Sequence, residues 1–112
     1  MELTIRTPYK TIYKKFKDFS RLVTKTNEGI LLVQNNMPAA LHILPPGYLK
    51  VKLLKNDEGL PENLMHTGGF ISIHPDNSCE INLIEGFDKN EIQANKLSKS
   101  DFSKEPDEKG FV

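Results

Sequence analysis

Three histidines, one cysteine and a few carboxylates are the residues of this 112-residue chain that could do chemistry, and their spacing decides how much. His42, His66 and His74 each stand apart from any second ligand at the His-x-x-x-His or Cys-x-x-Cys intervals that bring donors together around zinc. They read as surface or turn histidines. Cys79 as a nucleophile needs a histidine base held by a third group, and nothing in the sequence brings His66 or His74 to it. Its setting, "SCEINLIEG", suits a small apolar side chain within a strand. Glu28, Glu80 and Glu85 are isolated, with no neighbour to drive their pKa values apart into an acid and a base. These residues point to no catalytic group, no cofactor and no metal.

Two stretches invite a ligand. "HTGGF" has the adjacent glycines of a phosphate cradle, but such cradles open a helix and carry a lysine or a further glycine at fixed spacing. Here Ile71 and Ile73 alternate with Phe70 and Ser72, so Gly68 and Gly69 read as a structural turn or bulge where another backbone approaches closely, with Phe70 entering the strand. Lys10, Lys14, Lys15 and Lys17 are interleaved with Tyr9, Tyr13 and Phe16, a pattern that on a β surface can bind single-stranded nucleic acid. The competing reading is an edge strand whose lysines block edge-to-edge pairing. Fifteen basic residues against fifteen acidic ones favour that second reading, because a neutral chain has no long-range field for nucleic acid or an anionic membrane. A small nucleic-acid-binding β-barrel using Lys10 to Lys17 stays as the alternative.

The elements that must position these residues are short and mostly of period two. Leu3 and Ile5 alternate with polar neighbours up to Pro8, which cannot donate to a ladder. "KTIYKKFKDF" reads as a strand, although Tyr9, Tyr13, Phe16 and Phe19 also fit a helical spacing. "SRLVTKT" follows as a strand, and "EGILLVQ" as an apolar run that a sandwich interior would accept on both faces. Ala39, Leu41 and Ile43 share a face, Pro45-Pro46-Gly47 makes a stop and turn, and Leu49, Val51 and Leu53 point inward. "LPENLMHT" and "GFISIH" are expected to pair across Gly68-Gly69, and "SCEINLIEG" to end the sheet with Cys79, Ile81 and Leu83 on one face. Many short strands at even spacing mean an all-β sandwich or barrel.

Composition changes after Gly86. In "DKNEIQANKLSKS" only Ile92, Ala94 and Leu97 are apolar anchors, enough for a short helix capped by Asp88, and residues 101–112 have the composition of a mobile tail. The expected division is a β domain over residues 1–86 and a short helix or disordered tail over 87–112. The single cysteine suits a reducing compartment, and the absence of a leader-like start or a long apolar run suits a soluble, unprocessed chain.

Read in order, "LTIRTP", "NEGILLVQNNMPA", "LPPGYLKVKL", "HTGGFISI" and "INLIEG" resemble the N-terminal domain of the epsilon subunit of bacterial F-type ATP synthases, the counterpart of the mitochondrial delta subunit. The resemblance implies an antiparallel β-sandwich of about ten short strands in which Gly68, Gly69 and Phe70 are architectural. It implies a non-catalytic central-stalk subunit that clamps the gamma subunit to the rotor ring of c subunits and transmits torque in ATP synthesis coupled to ion transport. The chain would then be peripheral to the cytoplasmic face of the bacterial inner membrane, or to the equivalent organellar membrane, through its complex. Where the family carries Gly-Ile-Leu-Pro-Gly-His-Ala-Pro, this chain reads Leu31 to Pro38, with Asn36 in the usual histidine position. Asn27, Glu28, Gly29 and Asn36 are the candidate contacts with the rotor ring. The family's C-terminal helical hairpin has no counterpart in the polar segment after Gly86, so neither a nucleotide site nor hairpin-type inhibition is expected. A stalk role also requires a contiguous apolar patch on one outer face.

Overall fold

The structure, a computed structural model, describes residues 1–88; the helix or tail expected from residue 89 onward, with its anchors Ile92, Ala94 and Leu97, lies outside them. The ten strands are β1 (Glu2–Arg6), β2 (Thr11–Phe16), β3 (Phe19–Thr26), β4 (Gly29–Val33), β5 (Ala40–Leu44), β6 (Gly47–Leu53), β7 (Asn63–His66), β8 (Gly69–His74), β9 (Ser78–Leu83) and β10 (Gly86–Asp88). They form two five-stranded sheets, the first in the order β2-β1-β9-β8-β5 and the second in the order β10-β7-β6-β3-β4.

Period-two alternation builds the core. Leu3 and Ile5, Ile71 and Ile73, and Cys79, Ile81 and Leu83 face inward from the first sheet; Leu22, Leu49, Val51 and Leu64 meet them from the second. Each fully buried leucine or isoleucine contributes roughly 1.5–3 kcal/mol of transfer free energy. Every pairing is antiparallel except β1 with β9, which run parallel from Glu2 opposite Ser78 to Arg6 opposite Asn82. A parallel pair needs a long connection, and here most of the domain lies between the two strands in sequence.

The helical spacing in β2 has a local cause. Leu3 faces Phe16 and Ile5 faces Tyr13, so two steps on β1 oppose three on β2, and Lys15 absorbs the extra residue at φ 46°. The bulge turns Tyr13 and Phe16, three residues apart, toward the same side, where their rings meet edge to face at 5.5 Å. Tyr13 is buried and its hydroxyl donates to the Pro61 carbonyl at 2.7 Å.

Several expectations fail here for identifiable reasons. The hairpin across Gly68-Gly69 does not form: β7 pairs with β6 and β10, whereas β8 pairs with β5 and β9, so the glycines carry the chain from one sheet to the other. The segment after β9 makes the return crossing alongside, with Ile84 N–H donating to Gly68 O at 2.9 Å and Thr67 N–H to Glu85 O at 3.2 Å. β9 therefore does not end the fold, and pairing continues through Phe87 and Asp88, two residues past the expected boundary at Gly86. β4 is an edge strand and is not buried on both faces: Val33 is inside, while Ile30 and Leu32 are exposed.

Candidate partner interface

The face that Leu41 and Ile43 share points outward from the first sheet. These side chains are 66% and 58% exposed, while Leu44 beyond them is buried. Ile43 is paired across the ladder with Phe70, 43% exposed, and the crossover beside it carries Ile84, 60% exposed. A Cβ placed on Gly68 would lie 3.9 Å from Ile84 Cδ1 and 3.8 Å from Pro46 Cδ, which brings this corner and the β5–β6 turn together. The β3–β4 hairpin closes against the same strand, because Asn27 N–H donates to Ile43 O at 3.2 Å. The result is a continuous apolar surface of the kind that marks a protein contact.

The two edges of the first sheet treat exposure differently. β2 carries lysines and a bulge, which obstruct a further strand. β5 pairs with β8 in unbroken register over five residues and carries no lysine, arginine, aspartate or glutamate. Its outer edge is met at Ile43 by the β3–β4 hairpin, through Asn27 N–H.

Asn27, Glu28 and Gly29 form the exposed tip of the β3–β4 hairpin. Thr26 Oγ1 builds that tip by donating to Gly29 O at 2.9 Å and accepting from Glu28 N–H at 3.1 Å, while Gly29 at φ 121° takes a conformation closed to other residues. Asn36 is not brought to them. It lies past the far end of β4, about 17 Å of strand away. There, at φ 62°, its N–H donates to Asn77 Oδ1 at 2.8 Å, and the neighbouring Asn35 accepts from the Met1 ammonium. Gly69 is where the close approach falls: a Cβ on it would come within 2.0 Å of Asn82 O.

The remaining chemical candidates have structural positions. His66 is not a surface histidine; it is 1% exposed, burial lowers its pKa to about 4, and the neutral ring accepts Gly68 N–H on Nδ1 at 3.1 Å. That bond holds the crossover. Cys79 is buried between Leu3 and Ile73, and burial pushes its thiol up to about 12, away from thiolate chemistry. His74 lies 3.6 Å from Glu80, which also binds Arg6. Of the aromatics interleaved with lysines, only Tyr9 is fully exposed, since Tyr13 and Phe16 pack into the core. Sequence reasoning named Phe70 only as part of a turn and missed Ile43 and Ile84 as exposed apolar residues. The signal available for them was the apolar side chains flanking Pro45-Pro46 and the second crossover.

Fold and surface define a β-sandwich domain with an exposed apolar corner. No family model matches the chain. It is 40% identical, at a TM-score of 0.78, to a chain in the cryo-EM structure of the central stalk and c-ring of the Tetrahymena thermophila mitochondrial ATP synthase, covering 97% of this chain and 81% of that one. A chain of the Euglena gracilis mitochondrial ATP synthase, in a structure of OSCP, F1 and c-ring, aligns at a TM-score of 0.72 with 27% identity, covering 98% and 69%. The mitochondrial ATP synthase F1 complex delta subunit of Dictyostelium discoideum is 31% identical over 98 residues, 87% of this chain. The chain spans about half of that curated relative, 55% of its length. The protein belongs to the family of mitochondrial ATP synthase subunits represented by that chain of the Tetrahymena central stalk and c-ring structure.

Proposed function

We propose that this chain is a central-stalk, rotor subunit of a mitochondrial F-type ATP synthase, held by its partners through the apolar surface around Ile43, Phe70 and Ile84. The observation that carries the reading is the joint exposure of these side chains on a domain 40% identical to a chain of a central-stalk structure. A rotor part transmits torque through rigid packing and does no bond chemistry; it needs a stiff body and a contact that sheds water. The interlocked core supports the first requirement and the apolar corner the second. In this reading the gamma subunit covers the corner, and the rotor ring of c subunits meets Asn27, Glu28 and Gly29 at the adjoining hairpin tip. Asn36, at the opposite end of β4, is left out of that contact. The named relatives are mitochondrial, which favours the organellar membrane over the bacterial one, with attachment through the complex only.

The test is co-purification of the full chain with the gamma subunit and c-ring of the same organism. A stable complex is expected for the wild type, and its loss is expected for Ile43→Asp with Phe70→Asp. Failure of the wild type to associate would sink the function. An undiminished complex with the double variant would sink the assignment of the surface.

A further inference from the structure

β4 is the outer strand of the second sheet, and its edge is unlike that of β2. Its residues carry no charge and no proline, and they pair with β3 in unbroken register from Gly29 to Val33. The direction of its free polar groups follows from one bond. Val51 N–H donates to Glu62 O at 2.9 Å, so Val51 turns its polar groups toward β7 and away from Leu22 on β3. Hydrogen-bonded pairs alternate along an antiparallel ladder, so Leu22 and Thr24 bond Val33 and Leu31 on β4. The alternate residues Ile30 and Leu32 aim N–H and C=O at the open edge, and among the described residues nothing bonds them there. Their side chains stand exposed on the outer face. Both ends of the stretch are already taken, by Asn27 N–H on Ile43 O and by Gln34 N–H on Met37 Sδ at 3.3 Å.

We infer that β4 pairs antiparallel with β4 of a second copy of this chain, joining the two second sheets into one about a twofold axis at Leu31. Self-complementarity carries the choice of occupant. Centred on Leu31, the pairing sets Ile30 opposite Leu32 of the second copy and Leu32 opposite its Ile30, so the groups aimed outward from one edge meet the same groups on the other. These aliphatic side chains then cover one another on the outer face. No like charges meet. Glu28, the one charged residue from 28 to 34, falls opposite Gln34, and Lys25, beside Ile30, falls in line with Val23 of the second copy. A longer extended peptide gains little more, because the edge is closed at both ends, whereas a second copy offers an open stretch of the same length. The pairing belongs to the free chain and uses the other sheet from the apolar corner, so it stands whether or not the stalk reading does.

The test is sedimentation equilibrium of the full chain, with hydrogen exchange followed at single residues. A reversible equilibrium between monomer and dimer is expected over roughly 10–500 μM, as suits a small interface. The Ile30 and Leu32 amides should gain protection as the dimer fills. Ile30→Lys with Leu32→Lys should hold the chain monomeric with its melting curve little changed, because both side chains are exposed. Leu32→Pro removes an N–H aimed at the open edge and none from the ladder to β3, and it should do the same. Ile43→Asp with Phe70→Asp should leave the dimer intact. A chain monomeric throughout that range, association that survives the lysine variant, or association lost in the Ile43 and Phe70 variant overturns the proposal. Mass that climbs past the dimer equally overturns it, because a twofold pairing consumes the edge on both copies.

Discussion

The two outer faces of this sandwich are made by the same alternation and end with different chemistry. On the part of the first sheet away from the lysines of β2, Arg6 pairs with Glu80 and donates from Nε to Asn82 Oδ1 at 3.0 Å, and His74 stands on the other side of Glu80. What is left available there is apolar, at Leu41, Ile43 and Phe70. On the second sheet Val23 and Met65 are covered by their neighbours, and what is left available is the positive charge of Arg21, Lys25 and Lys52 beside the exposed Ile30 and Leu32 of the β4 edge. A face is thus defined by what its own residues leave unsatisfied, and a zero net charge conceals both kinds.

The strongest way to break this arrangement is at the crossing that hands the chain from one sheet to the other. Gly69→Ala places a methyl group against the backbone of Asn82 and Leu83. A loss of more than about 4 kcal/mol is expected, measured by urea denaturation, because backbone on both sides has nowhere to move. Gly68, at φ 118°, should tolerate alanine poorly for a different reason, conformation rather than space.

The second test uses pH on the same crossing. His66 has a folded pKa of about 4 against 6.5 for the free side chain, so the unfolded chain binds more protons between those values. Its contribution to stability is fully present above pH 6.5 and is lost as the pH falls toward 4. The loss is on the order of 3 kcal/mol. His66→Gln retains an acceptor for Gly68 N–H and should flatten this part of the stability profile, which denaturation at a series of pH values would register.

The faces themselves give smaller effects. Ile43→Asp should weaken the stalk complex by about 2 kcal/mol, roughly thirtyfold, while leaving the melting temperature of the isolated chain nearly unchanged, since the side chain is exposed. Equal damage to folding and binding would show that Ile43 belongs to the core and would erase the contrast between the faces. Lys52→Glu turns a repulsive cross-strand pair with Arg21 into an attractive one and should stabilise the chain by about 0.2–1 kcal/mol in low salt. A destabilised variant would mean that Arg21 and Lys52 do not oppose each other as their register implies.

Much of the fold was legible before the structure. Leu49 and Val51 alternate with lysines so regularly that both their strand and its inward side follow from sequence, and the same holds for Ile71, Ile73, Cys79 and Ile81. Less of the site was legible. Leu41 and Ile43 have the period of a core strand, and periodicity says that two residues share a face without saying which face meets the other sheet. Gly68-Gly69 was readable as a close approach but not as a crossover, because a turn within one sheet and a passage between two ask for the same residue type.

By itself the sequence determined the all-β class, most strand positions and the need for glycine at Gly69, since alternation and steric room are local properties of the chain. The tertiary structure decided that β1 lies parallel to β9, that Lys15 bulges so that Tyr13 and Phe16 both turn inward, and that Leu41 and Ile43 face out. It also gathered Arg21, Lys25, Lys50 and Lys52 from two strands onto one side. These are relations between segments distant in sequence, set by which registers let both sheets bury their apolar sides together, and no local pattern encodes them.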